Sequence, residues 1–202
     1  MKGTKALVVV DLQNDFCPGG ALEVKDGDKI VAPINELVSA FEKDDLPVVF
    51  TRDWHPSDHC SFKAQGGMWP PHCVQGTSGA EFHPSLRVPS EAIIISKGAN
   101  RDREAYSGFQ ETDLAGRLRL VGTSELFVGG LATDYCVKNT VLDALELGFK
   151  VYFITDCVRG VNLRRTDVAN AVRLMEMKGA IGVSSSDILK KFNRRVAFSS
   201  SS

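Results

Sequence analysis

The 202-residue sequence has almost no net charge: 24 basic residues stand against 25 acidic ones, for a formal charge of −1, with both signs scattered along the chain. Such a balance gives no electrostatic footprint for nucleic acid or for an anionic membrane. A long apolar run is also missing. The stretch after Lys2 and Lys5, Ala6 to Val10, stops at Asp11, short of a secretory signal and far short of the ~20 residues that span a bilayer. Cys17, Cys60, Cys73, Cys136 and Cys157 are odd in number and include no CxxC, so a disulfide framework is not expected and at least one thiol is free. No linker, repeat or low-complexity segment occurs apart from the closing AFSSSS. These absences point to a globular protein of the cytoplasm, and 43% apolar with 24% charged residues is an ordinary composition for one. Residues 1–195 read as a single domain and 196–202 as a polar tail too poor in apolar side chains to pack.

What is present is an alternation. Apolar β-branched runs at 6–11, 47–53, 92–98, 125–130, 150–156 and 180–183 read as strands. Helical spacing of apolar residues occurs at 29–43, 111–122, 133–147, 164–178 and 185–192, with Gly148 and Gly179 as stop signals. Strand–helix alternation predicts an α/β fold: a doubly wound, mostly parallel six-stranded sheet with helices on both faces. Residues 54–90 show no period, are rich in Pro and Gly and hold all four His. A loop of that length inside a compact domain is usually functional.

In such folds ligands bind beyond the carboxyl ends of the strands. Asp11, Asp53 and Lys97 fall at those ends, as does the segment GGLATDYC after the fourth strand. Thr133 reads as an N-cap that places Cys136 in the first helical turn, where the positive helix end favours a thiolate. Cys136 is thus the candidate nucleophile, the alternative being a small buried apolar residue. Asp11 follows four apolar residues, and a buried carboxylate needs a partner. Lys97 can be that partner, in a purely structural ion pair or as part of an acid–base group beside a nucleophile.

The segment DWHPSDHC (53–60) and the later WPPHCVQG (69–76) supply Asp53, His55 and His72, with His59 or Ser61 in reach of a fourth position. Two His and an Asp fit an open divalent-metal site. A closed zinc site from His55, Cys60, His72 and Cys73 is the competing reading, although it lacks the short paired spacings usual for one.

Taken together, the stretches ALVVVDLQNDFCPGGAL, TRDWHPSDHCSF, WPPHCVQGTSGAEF, ISKG and FVGGLATDYCVKNTVLDALELGFKV resemble the nicotinamidase/pyrazinamidase group of the isochorismatase-like cysteine hydrolases. The resemblance implies an Asp–Lys–Cys triad at Asp11, Lys97 and Cys136. It implies an oxyanion hole from the N–H groups of Ala132 and Cys136, with a cis peptide before Ala132. It implies one divalent metal per chain on Asp53, His55 and His72, with zinc expected first and iron(II) or manganese(II) as alternatives. Relatives differ in the fourth ligand, and the short HPSDH segment favours Ser61 over His59. Phe16, Trp69 and Tyr106 match positions that sandwich a pyridine ring. The expected reaction is hydrolysis of nicotinamide to nicotinate and ammonia through a thioester, with pyrazinamide also accepted. The expected partners are this small substrate, no nucleic acid and no membrane, with homo-oligomerisation left open.

Overall fold

A computed structural model describes residues 4–199, and the side chains of residues 4–192. Six strands, β1 (Thr4–Val10), β2 (Val48–Asp53), β3 (Ile93–Lys97), β4 (Thr123–Leu131), β5 (Lys150–Arg159) and β6 (Ile181–Val183), form one sheet in the order 3-2-1-4-5-6. Every neighbouring pair is parallel, so the expected doubly wound sheet is the observed one. The order reverses between β1 and β4, the place where a crevice opens at the carboxyl ends of such a sheet.

The strands are apolar on both faces because both faces are covered. On β1, Leu7 and Val9 join a core with α1 (Val31–Lys43) and α5 (Ser185–Ser199), through Ile34, Leu37, Phe41 and Ile188. Ala6, Val8 and Val10 join a second core on the opposite face with α2 (Leu114–Leu120), α3 (Lys138–Glu146) and α4 (Asp167–Met177), through Leu118, Val141 and Met175. The period-2 alternation of a strand thus serves two helix layers at once. No helix among the described residues is long and apolar enough to cross a membrane.

Three details differ from the sequence reading. The helix expected at 133–147 starts with a π-helical turn, Thr133–Val137, before α3 begins at Lys138. Its N-cap is Ala132 in extended conformation, so Thr133 is not the cap, and the Thr133 hydroxyl is buried without a hydrogen-bond partner. The last helix was expected over 185–192 but continues to Ser199, into the segment read as a tail, and residues 200–202 lie outside the described residues. Between 54 and 90 there are only two short 3-10 turns, Lys63–Gln65 and Ser78–Ala80, as the absence of a period suggested.

β4 ends on the glycines that bring it against β1. Gly130 has φ +123, and a Cβ there would lie 2.0 Å from the Val10 carbonyl oxygen. Gly130→Ala therefore forces β1 and β4 apart at the mouth of the crevice. Overpacking typically costs ~1–3 kcal/mol, and the backbone conformation adds to it. A loss of at least ~2 kcal/mol is expected in urea unfolding, and an unchanged midpoint would contradict the close approach.

Candidate active site

The register of the sheet brings the candidate catalytic residues together. β1 and β2 pair Val10 with Thr51, and β2 and β3 pair Asp53 with Lys97. Asp11, one residue past β1 with φ 46, donates its N–H to the Thr51 carbonyl (3.1 Å) and accepts the Thr51 hydroxyl on Oδ1 (2.6 Å). Lys97 Nζ lies 2.8 Å from Asp11 Oδ2, contacts Asp53 Oδ1, donates to the Ala105 carbonyl (3.2 Å) and reaches Cys136 Sγ at 3.4 Å. Apart from this ion-pair contact, Asp11 Oδ2 has no hydrogen-bond partner. Ligand atoms of Asp11, Asp53 and Cys136 all lie within 4.8 Å of one another. The three residues expected as a triad are therefore together and buried.

Their electrostatics follow from burial among opposed charges. Burial works against the Lys97 ammonium, but the carboxylates of Asp11 and Asp53 outweigh it and hold its pKa well above the usual lysine range. Burial raises Asp11 above an ordinary carboxylate, Lys97 opposing and Asp53 adding to the rise. Burial likewise pushes the Cys136 thiol well up, with Lys97 opposing. Burial thus outweighs the pull of the helix start towards a thiolate. The Cys136 sulfur lies within 4.8 Å of an Asp11 carboxyl oxygen, a placement suited to moving the thiol proton onto it.

The second group lies on the same floor. Asp53, His55 and His72 are buried and present one ligand atom each within 4.8 Å of the others. His55 Nδ1 faces the Gly98 carbonyl at 2.9 Å and His72 Nδ1 the Pro70 carbonyl at 2.8 Å. A carbonyl only accepts, so both Nδ1 atoms carry the proton and both Nε2 lone pairs are free. Those Nε2 atoms lie 3.5 and 4.0 Å from Asp53 Oδ2. Burial disfavours a charge on either ring. At His55 the Asp53 carboxylate outweighs it and the pKa rises, whereas at His72 burial wins and the pKa falls. Burial also works against the Asp53 charge, but Lys97 and the two rings hold it well below the usual carboxylate range. Two backbone-oriented imidazoles and an ionised carboxylate, with open positions, form a donor set suited to a divalent metal.

His59 is occupied elsewhere. Its Nε2 donates to the Arg103 carbonyl (3.0 Å) and its Nδ1 accepts the Ser61 hydroxyl (2.7 Å), while its ring lies against His55, tilted by 30° with centroids 4.2 Å apart. No ring nitrogen of His59 is left for a metal, whereas the Ser61 oxygen keeps its lone pairs. Among the described residues no metal-competent cluster includes Cys60 or Cys73, and all five cysteines are free. The closed zinc reading is thereby set aside. Cys17 and Cys157 are buried as structural thiols, pushed up to about 11 and about 12.

Phe16, Trp69 and Tyr106 line one cavity with Asp53, His55, His72, Ala132 and Cys136. Trp69 Nε1 donates to the Tyr106 hydroxyl (3.0 Å), and Phe16 packs on His72 with centroids 5.6 Å apart. The peptide between Leu131 and Ala132 is cis. The Ala132 carbonyl accepts the N–H groups of Tyr135 (3.0 Å) and Val137 (3.1 Å), so the carbonyl belongs to the helix start while Ala132 lines the cavity.

Several contributors were not read from the sequence. Gln13 clamps the end of β2: its amide donates to the carbonyls of Asp53 and Ala80 and accepts the Asp53 N–H, each at 2.8 Å. Its signal was a polar residue two past Asp11, just beyond the strand end. Tyr135 closes the aromatic wall edge-on to Trp69, with centroids 5.0 Å apart, and its signal was an aromatic beside the candidate nucleophile. Glu104 also reaches the cavity, and nothing in its sequence context marked it.

Comparison with known proteins agrees with this geometry. Residues 5–187 match the isochorismatase domain model. A nicotinamidase of Escherichia coli strain K12 is 45% identical over 197 residues, covering 87% of this chain and 92% of that protein. The crystal structure of a pyrazinamidase of Pyrococcus horikoshii in complex with zinc is 48% identical with a TM-score of 0.86, covering 89% of this chain and 98% of that one. A structure from L. infantum in complex with nicotinate is 36% identical with a TM-score of 0.85, covering 92% and 95%. The fold, the family model and the nicotinamidase relatives mark an amide hydrolase of the doubly wound α/β class, and the chain belongs to the isochorismatase family.

Proposed function

We propose that the protein is a nicotinamidase that hydrolyses nicotinamide to nicotinate and ammonia, with Asp11, Lys97 and Cys136 as the catalytic residues. The observation that carries this reading is a Cys136 sulfur in contact with Lys97 (3.4 Å), close to Asp11, at the base of an aromatic cavity whose floor holds Asp53, His55 and His72. Asp11 Oδ2 takes the thiol proton as Sγ bonds to the carboxamide carbon. Lys97 keeps the carboxylate in place and balances charge on the sulfur. The oxyanion is received by the N–H groups of Ala132 and Cys136, a kind of donor worth ~2.7–4 kcal/mol each in comparable sites. Asp11 returns the proton to the departing nitrogen, the C–N bond breaks, and ammonia leaves a thioester. Water, deprotonated by Asp11, attacks that thioester, releasing nicotinate and restoring the thiol.

Asp53, His55 and His72 would hold a divalent metal, zinc first, with Ser61 completing the shell through water. When bound, it supplies a Lewis acid for the ring nitrogen and so fixes the ring. Phe16, Trp69 and Tyr106 hold the two faces of the ring. The absence of any disulfide among five free cysteines supports a reducing location such as the cytoplasm.

Ammonia release from nicotinamide tests the reading, with pyrazinamide as a second substrate. Benzamide keeps the carboxamide and ring but has no ring nitrogen, and sites built on a polar contact reject analogues lacking it by ~10⁴ or more. Equal kcat/KM for nicotinamide and benzamide would point to a broader amide hydrolase.

A further inference from the structure

We infer that Glu104, at the cavity wall, discriminates against the carboxylate product and speeds its departure; the inference rests on the nicotinamidase reading. Substrate and product share the ring and differ at one group, a neutral carboxamide against an anionic carboxylate. Selection between them is therefore electrostatic. The inner site is biased towards anions. Lys97 is a buried ammonium, and a divalent ion on Asp53, His55 and His72 would add two positive charges against the two carboxylates of Asp11 and Asp53. That sum is one positive charge. Left uncorrected, it would hold the product more tightly than the substrate.

Glu104 brings the sum to zero. It lines the cavity, and apart from Asp53 it is the only carboxylate that does so among the described residues. The neighbouring Ala105 gives its carbonyl to Lys97 (3.2 Å), so the backbone that carries Glu104 is tied to the catalytic group. Among the described residues no Lys or Arg pairs with it: the ion pairs of the adjacent Arg101 and Arg103 go to Asp58, Asp102 and Glu111. Its negative field is felt along the same wall, where it helps burial to hold the proton on the Tyr106 phenol. Glu104 is exposed to solvent at the cavity wall, while Asp53, Lys97 and Cys136 are buried. Its field is thus directed at whatever occupies the cavity.

The test is calorimetric binding of nicotinate to the metal-loaded protein, compared with KM for nicotinamide, in wild type, Glu104→Gln and Glu104→Asp. Glu104→Gln is expected to tighten nicotinate about three- to tenfold beyond any change in nicotinamide KM, a size in keeping with one partly screened charge. Glu104→Asp should stay near wild type. The difference between wild type and Glu104→Gln should shrink at 1 M salt, where the screening length is about 3 Å; a packing effect would persist. Equal nicotinate affinity in wild type and Glu104→Gln would overturn the inference, as would equal shifts in nicotinate Kd and nicotinamide KM. If Glu104→Gln behaves as expected yet wild type fails to turn over nicotinamide, the function reading falls and the product role falls with it. Active wild type with an inert Glu104→Gln change sinks this inference alone.

Discussion

Asp11→Asn should lower kcat/KM for nicotinamide by about 10³-fold, within the 10²–10⁴ range of general acid–base groups, and Cys136→Ala by on the order of 10⁴-fold or more, as for other nucleophiles. The reason lies in one oxygen. Asp11 Oδ1 is spent on the Thr51 hydroxyl (2.6 Å), whereas Oδ2 has only its contact with Lys97 (2.8 Å). Asparagine can keep the first interaction through its carbonyl, but its amide then faces an ammonium, donor against donor, and cannot take a proton. Because burial holds the Cys136 thiol well above its usual range, no reserve of thiolate compensates for the lost base. The same shifts fix the pH profile. Asp11 acts in its ionised form, and burial raises its pKa. Activity should therefore fall on acidification at a pH above the ~3.9 of an unperturbed aspartate. Steady-state kinetics between pH 4 and 9, with circular dichroism on each variant, measure both effects. An Asp11→Asn enzyme within tenfold of wild type, or an acid limb at or below the unperturbed value, would remove Asp11 from the role of base.

How far the site could be read from the sequence depends on the range of the interactions involved. Strand ends are local: four valines and leucines followed by Asp11, or Gly129 and Gly130 followed by a helix start, can be read within ten residues. Those signals located Asp11, Lys97 and Cys136. They could not say that Asp53 touches both groups, contacting Lys97 through Oδ1 while Oδ2 faces two imidazoles. That sharing is set by the β2–β3 register, which pairs Asp53 with Lys97 across 44 residues. The π turn at Thr133–Val137 was invisible for another reason. Apolar spacing at 137, 141 and 144 is the same whether the first turn closes on the fourth or the fifth carbonyl, so a helix was expected and its opening geometry was not. The choice between His59 and Ser61 turned on which ring nitrogens are already satisfied. For His59 Nε2 that depends on the Arg103 carbonyl, 44 residues away.

His72→Ala should leave the purified protein with a small fraction of one metal per chain, and Gly98→Ala should approach the same result without touching a ligand. His72 supplies one of three ligand atoms, and its loss leaves Asp53 and His55, too few for a buried site to hold a divalent ion well. Gly98 acts through His55. Its carbonyl receives His55 Nδ1–H at 2.9 Å and so aims Nε2 at Asp53. Its φ is +62, and a Cβ would stand 2.5 Å from His55 Cε1 and 2.7 Å from Nδ1. The ring must therefore move away from the carbonyl that orients it. Losing such an orienting partner typically costs 10–100-fold in metal affinity. Cys60→Ser and Cys73→Ser should keep full metal content, since neither thiol belongs to a metal-competent cluster. Elemental analysis after dialysis against a weak chelator measures all four variants independently of turnover. Metal lost from the cysteine variants with unfolding would favour the closed cysteine–histidine zinc site, whereas metal retained by His72→Ala would remove His72 from the ligand set of either reading. Metal retained by Gly98→Ala would mean that His55 does not need the Gly98 carbonyl to bind.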